Sequence, residues 1–243
     1  ACTILGRPGL GSGVNPVTSQ ETVRVQPGYF AQYGSTTSYF FTDVVTNTVW
    51  FYNRTGSDIS ILGQTFYNGK MQIVTGVGFR GTGTLGSYYY DFPLWTPRGV
   101  AWDNTNQRLF IAEEQNDRVL MIDSTGTVTK ILGGGSNVTA NNQDNTISTN
   151  SFCDAPRGLE FDGTNNKLYV ACYSSGTIKV VDTSNATVAN WTANILTGKA
   201  TGGVTANAAA VNGTNGYAGT TVLNGPNQLK LDTQNNILYF STT

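Results

Sequence analysis

Pro97-Arg98-Gly99-Val100-Ala101-Trp102-Asp103, Pro156-Arg157-Gly158-Leu159-Glu160-Phe161-Asp162 and Pro226-Asn227-Gln228-Leu229-Lys230-Leu231-Asp232 are three copies of one pattern. Each is followed by a polar turn and a second apolar run: Arg108 to Ala112, Lys167 to Ala171 and Ile237 to Ser241. A repeat at this spacing constrains the fold more than any local signal, because one small unit cannot bury its own apolar face and must stack on its neighbours. Residues that recur with the repeat are therefore read first as scaffold.

Each unit reads as four strands. In the clearest copy they run Gly99 to Trp102, Leu109 to Ala112, Arg118 to Ile122 and Val128 to Leu132, with turn residues at every junction. β-Branched and aromatic residues fill the runs, and no helical period competes. In the next copy the third and fourth strands are expected at Thr177 to Val181 and Ala193 to Leu196. A more diverged unit begins at Pro27-Gly28-Tyr29-Phe30 and continues through Tyr39 to Thr42, Val49 to Tyr52 and Ile59-Ser60-Ile61-Leu62-Gly63. The repeats span about 27–75, 95–135, 154–198 and 224–243 plus 1–13 of one domain, 1–243.

This pattern resembles the NHL-repeat β-propeller family: Pro-x-Gly, a strand ending in Asp, a Leu-Tyr-Val-Ala-like strand, an Asn-x-Arg segment and a strand leading to Gly. Asn116-Asp117-Arg118 stands where the family has its namesake tripeptide. The resemblance implies an all-β, propeller-like array of four-stranded repeats. The chain departs from the family in having no His, so functions that rely on His in related propellers do not carry over.

The last unit stops after its second strand, and Cys2-Thr3-Ile4-Leu5-Gly6 matches the fourth-strand run Lys130-Ile131-Leu132-Gly133. The expectation is one blade split between the C-terminus and the N-terminus. That leaves three readings: a piece of a longer chain with adjacent domains, a strand supplied by a neighbour, or a small closed ring. Open strand edges template strand addition, and head-to-tail completion that fails to close gives a fibre.

Net charge is −1 with 12% charged residues, so no basic stripe exists for nucleic acid. No apolar run approaches the roughly 18 residues of a membrane span. The chain opens at Ala1 without a signal-peptide pattern, which reads as a mature product or an excised piece. Abundant Gly, Thr, Asn and Ser suit an extracellular surface. Asn-x-Thr sequons begin at Asn53, Asn137, Asn185, Asn190 and Asn212; chance supplies about as many in so Asn- and Thr-rich a chain, yet secretion by a eukaryote would make them glycan acceptors. Cys153 and Cys172 flank two antiparallel strands at one blade end and are expected to form a disulfide. Cys2 is left over as a thiol for an intermolecular bond.

Without His, Ser-His-Asp and Cys-His arrangements have no base, and no catalytic residue, cofactor or metal ligand is assigned. Glu113, Glu114, Asn116 and Asp117 form the densest acidic group and read as a solvated turn rather than a calcium site. Arg98 and Arg157 recur at equivalent positions, as packing or ion-pair residues do. Asp103, Asp162 and Asp232 read as turn-forming side chains. Tyr88-Tyr89-Tyr90, Phe92 and Trp95 pack between blades or stack on a sugar or protein. Gly76-x-Gly78-x-x-Gly81 matches a dinucleotide fingerprint by letter but precedes no helix, so it reads as a loop. The leading expectation is a non-catalytic extracellular structural or adhesive glycoprotein that self-associates through an incomplete blade, with a filament subunit as one form of it. Alternatives are a ligand- or glycan-binding propeller and a calcium-dependent propeller hydrolase or lactonase.

Overall fold

The computed structural model describes residues 4–5, 22–23, 27–133, 146–198 and 223–243. Among them every regular element is a strand or a short 3-10 turn. The chain divides into two compact units, Ala1–Ile111 with Met121–Thr129 and Ala112–Leu120 with Lys130–Thr243.

β1 (Ile4–Leu5) pairs with β2 (Thr22–Val23) as a short antiparallel ladder. The first blade then combines β3 (Pro27–Gln32), β4 (Tyr39–Asp43), β5 (Thr48–Tyr52) and β8 (Met71–Thr75) in the order β3-β4-β5-β8. Between its third and fourth strands the chain inserts a hairpin, β6 (Ile59–Ile61) with β7 (Gln64–Phe66). The run Ile59 to Gly63, expected as this blade's fourth strand, is therefore the first arm of that hairpin; Met71–Thr75 holds the fourth place. Its Ile-Leu-Gly ending imitates the true strand ends, but here Leu62 and Gly63 both adopt positive φ and reverse the chain.

The second blade is β9 (Pro97–Asp103), β10 (Arg108–Glu113), β11 (Arg118–Ile122) and β12 (Val128–Gly133), hydrogen-bonded in sequence order. The third is β14 (Pro156–Asp162), β15 (Lys167–Cys172), β16 (Thr177–Asp182) and β17 (Thr192–Gly198), with β13 (Thr146–Ile147) added beyond β17. β18 (Leu229–Asp232) and β19 (Ile237–Phe240) form a two-stranded sheet. Ile4–Leu5, expected as the fourth strand of a split blade, pairs with β2, and β18 pairs with β19.

One device joins the first two strands at Asp103, Asp162 and Asp232, and the second and third strands of the first blade at Asp43. Asp43, Asp103, Asp162 and Asp232 each accept backbone N–H bonds through Oδ1 from the two residues that follow at i+2 and i+3, at 2.9–3.5 Å. Such a turn satisfies donors that a tight reversal leaves without ladder partners. The strand that opens with Pro27-Gly28 or with Pro156-Arg157-Gly158 starts on a bulge: pairing shifts between Pro27 and Phe30, and between Pro156 and Leu159. Glycine is required there by close approach, because a Cβ on Gly158 would collide with the Asn227 carbonyl. A Cβ on Gly28 would press on Thr42 Oγ1, which donates at 2.6 Å to the Arg98 carbonyl.

In the first unit the core is aromatic. Phe40 and Phe51, both fully buried, lie 4.5 Å apart between ring centroids, and Phe40 meets Trp102 at 4.9 Å. Phe66 from the inserted hairpin closes on Phe51 edge-on at 5.1 Å, so the hairpin is part of the core. In the second unit a cluster of Ala171, Ile178 and Leu229 packs against Tyr169, Leu196, Leu223, Leu238 and Phe240, and Trp191 is buried. A disulfide joins Cys153 to Cys172 with Cα atoms 5.2 Å apart.

Candidate ligand-binding surface

Neighbouring blades are joined by a recurring contact at the start of each first strand. Asn47 and Asp117, in the turn before the third strand, adopt positive φ. Asn47 Oδ1 accepts from Thr96 N at 2.8 Å and Asp117 Oδ1 from Ala155 N at 2.8 Å, each donor standing immediately before a repeat proline. Gly176 fills the equivalent place without a side chain; its carbonyl accepts from Leu223 N at 3.3 Å, while Ser175 Oγ accepts from Asp154 N. Gly76, Gly133 and Gly198 end the fourth strands at positive φ, where a Cβ would strike the backbone of Asn47, Asp117 and Gly176 respectively. Gly76 is therefore a blade terminus, as its loop reading implied.

The acidic group at the end of β10 belongs to this scaffold. Glu113 is fully buried and Glu114 is 5% exposed, which corrects the expectation of a solvated turn. Glu113 pairs with Arg118 and accepts from Asn116 Nδ2. Glu114 Oε1 takes Nε and Nη2 of Arg157 at 2.8 and 2.6 Å, 43 residues along the chain. The same guanidinium lies 3.3 Å from the centroid of the Tyr173 ring. Buried carboxylates need such partners, because desolvation of an unpaired charge costs several kcal/mol. Thr243 and Arg157 together draw the Tyr173 hydroxyl below its usual range. Asp154 is held above the usual carboxylate range by burial, then by the charge and hydrogen bond of Asp117. Among the described residues no cluster of three or more His, Cys, Asp or Glu is arranged to hold a metal ion.

The tyrosine run divides its labour. A 3-10 turn at Tyr89–Asp91 sends Tyr89 inward, 2% exposed, while Tyr88 and Tyr90 stay 58% and 48% exposed. Tyr89 OH donates to Gln64 Oε1 at 2.7 Å, and its carbonyl accepts from Thr75 Oγ1 at 2.6 Å. Burial pushes the Tyr89 hydroxyl well above its ordinary pKa. Phe92 is also buried, and the missing side chain of Gly83 makes room for its ring, 2.5 Å from where a Cβ would stand. The backbone is tied down as well: Gly86 N donates to Val128 O, Val128 N to Ser87 O and Tyr89 N to Gly126 O. On this fixed base the Tyr88 and Tyr90 rings stack, 5.7 Å apart and within 8° of parallel. Beside them opens a cavity of about 450 Å³ lined by Thr82, Gly83, Thr84, Ser87, Tyr88, Tyr90, Asp91, Phe92 and Pro93. That volume lies within the roughly 300–1,000 Å³ of small-molecule sites. The sequence marks the aromatic cluster but not Thr82, Ser87 or Asp91, whose only signal is a Gly- and Thr-rich connector. Trp95, under Arg80 at 5.8 Å, does not line the cavity.

Asn53 sits fully buried, its Nδ2 donating to the Ser57 and Phe66 carbonyls at 2.9 and 2.8 Å. A sugar on that nitrogen would break into the first blade. Asn185 and Asn190 are exposed. Asn137, Asn212 and Cys2 lie outside the described residues.

Residues 98–202 match the family described as SdiA-regulated. Over 93 residues the chain is 32% identical to NHL repeat-containing protein 2 of Bos taurus, a stretch of 38% of this chain and 12% of that protein. These are NHL-type propeller repeats. Solved structures share the fold at lower identity. A nidogen/laminin complex superposes with TM-score 0.52 and 16% identity, over 90% of this chain and 57% of that one. An auxiliary nutrient binding protein from Bacteroides ovatus gives 0.52 and 12% identity, over 91% and 47%. A Bacteroides thetaiotaomicron protein of unknown function gives 0.51 and 13%, over 84% and 41%. The chain thus spans about half the length of these structures and about an eighth of the NHL relative.

Proposed function

We propose that this chain is a non-catalytic, extracellular adhesive propeller module that holds a partner on the surface built by residues 82–93. The observation that carries the reading is the contrast between consumed and exposed chemistry. Glu113, Glu114, Arg118 and Arg157 are tied into blade contacts, and the repeat aspartates into turns. What reaches solvent beside a cavity is the stacked Tyr88–Tyr90 pair, whose aromatic faces supply binding chemistry. The disulfide and the exposed sequons at Asn185 and Asn190 support an oxidising, glycosylating compartment. Among the described residues no helix is long and apolar enough to cross a membrane. A nidogen/laminin complex and a nutrient binding protein among the fold neighbours are both named for what they bind.

The test is biolayer interferometry of the disulfide-intact chain against extracellular matrix proteins and a glycan array. Saturable binding that the Tyr88→Ala/Tyr90→Ala pair abolishes, with Tm unchanged, is the expected outcome. Binding indifferent to that pair overturns the assignment, and so does calcium-dependent turnover of ester or lactone substrates. A second reading, self-association through strand completion, is favoured by the two-stranded β18–β19 sheet, where β19 pairs only with β18 among the described residues. Sedimentation velocity across a concentration series separates the two: a monomer throughout excludes it.

A further inference from the structure

The cavity beside Tyr88 and Tyr90 carries one step more, and it rests on the binding reading above. We infer that its ligand is a neutral glycan, with one sugar ring laid on the tyrosine face and its hydroxyls met by Thr82, Thr84, Ser87 and Asp91. Three observations converge on this class.

The first is shape. Two nearly parallel, half-exposed rings are stacked 5.7 Å apart, with the buried Tyr89 edge-on against Tyr90, so the pair offers a flat outer ring face to a ligand. The C–H face of a pyranose is flat, apolar and slightly positive, which complements the negative face of an aromatic ring. Pre-anchoring means little side-chain freedom is lost when the ligand arrives.

The second is the rim. Beyond the aromatic strip, the cavity is edged by three aliphatic hydroxyls and one carboxylate, with no Lys or Arg among its lining residues. Hydroxyls donate and accept, and a carboxylate accepts strongly from paired sugar hydroxyls. The Asp91 charge with no compensating cation in the lining disfavours phosphate, sulfate and uronic acid groups.

The third is the backbone. A peptide laid against this loop would seek ladder hydrogen bonds. The N–H groups of Gly86 and Tyr89 and the carbonyl of Ser87 are already bonded to Gly126 and Val128. The loop therefore offers side chains rather than a strand edge.

The experiment uses the intact, oxidised chain. Saturation-transfer NMR and titration calorimetry are run with neutral cello-, chito-, manno- and galacto-oligosaccharides, with heparin and a proline-rich decapeptide as separate arms. The expected result is saturable binding of at least one neutral oligosaccharide. Tyr88→Ala or Tyr90→Ala weakens it by about tenfold or more, the scale of losing one stacked ring. Tyr88→Phe keeps the stacking face and stays within about threefold, whereas Asp91→Asn weakens binding several-fold without moving Tm. Tyr67→Ala, at an exposed tyrosine elsewhere in the first unit, changes nothing. The conservative variants keep the test decisive if an alanine variant unfolds. No neutral oligosaccharide binding, binding insensitive to Asp91→Asn and both tyrosines, or preference for heparin overturns the inference. Capture of the decapeptide by the same tyrosines also overturns it, yet leaves the adhesive reading standing; loss of every partner on the wider panel sinks both.

Discussion

The first and third blades perform the same task with different chemistry. In the first, β3, β4, β5 and β8 enclose stacked rings, and the contact onward to Thr96 is made by the neutral amide of Asn47. In the third, β14 to β17 rest on a mainly aliphatic cluster edged by Tyr169 and Phe240 and on the Cys153–Cys172 bond, and the contact arriving at Ala155 comes from the carboxylate of Asp117. Backbone geometry is conserved between the repeats, whereas the means of holding it is not. The lesson is that an NHL-type unit specifies turns and close approaches, and leaves the cohesive energy to whatever fills the space between. It also makes the third blade dependent on redox state, whereas the first blade, residues 27–75, contains no cysteine.

The comparison breaks first at the aromatic core. Phe40→Ala or Phe51→Ala removes a fully buried ring and should cost about 3–5 kcal/mol in urea unfolding. If the loss is below about 1 kcal/mol, the stacked rings do not carry the first unit.

Next in size is the disulfide, whose cysteines are 19 residues apart. Cys153→Ala/Cys172→Ala, or reduction, should cost about 3 kcal/mol by the loop-closure estimate. Hydrogen exchange should speed up in β14 to β17 and stay unchanged in β3 to β8. Equal acceleration in both would erase the difference between the two blades.

A smaller effect tests the contacts themselves. Thr96 and Ala155 hold positive φ where the fourth repeat has Gly225, a conformation that costs a residue with a Cβ about 1–2 kcal/mol. Thr96→Gly should therefore stabilise the chain by about 1 kcal/mol after the entropic cost of glycine, and Ala155→Gly by less. Thermal unfolding checks both.

Smallest is pH. Lys167 and Ser184 hold Asp182 down at about 2, so its contribution is present above the ordinary carboxylate pKa and disappears as pH falls through about 2. Asp154, raised by burial and by Asp117, behaves oppositely. Its cost is absent at low pH and appears as pH rises through its folded pKa. Asp154→Asn should raise Tm at neutral pH and leave it unchanged at acid pH, while Asp182→Asn should flatten the acid limb. Asn47 has no proton to lose, so the first unit should show neither effect at its own contact.

Much of this was legible in the sequence. The second and third blades fall where their strands were expected, because Asp turns and Pro-x-Gly starts are local and recur. The fourth strand of the first blade was not, since Ile59 to Gly63 carries the right letters and only its tertiary surroundings make it a hairpin arm. The burial of Glu114 escaped for a similar reason: its partner, Arg157, lies 43 residues away. At the candidate site the tyrosine cluster was visible, but which tyrosine faces outward depends on a single 3-10 turn and on the hole left by Gly83.

The β6–β7 insertion has a practical corollary. It shows that the link between the third and fourth strands of a blade can lengthen by a whole hairpin while the four-stranded ladder around it remains intact. The corresponding link of the third blade, Thr183 to Trp191, is therefore a natural port for cargo, whereas Asp123 to Thr127 is committed to holding the tyrosine run through Gly126 O and Thr127. A peptide epitope or fluorophore cassette spliced there would ride on the scaffold while leaving the tyrosine pair and the blade seams in place.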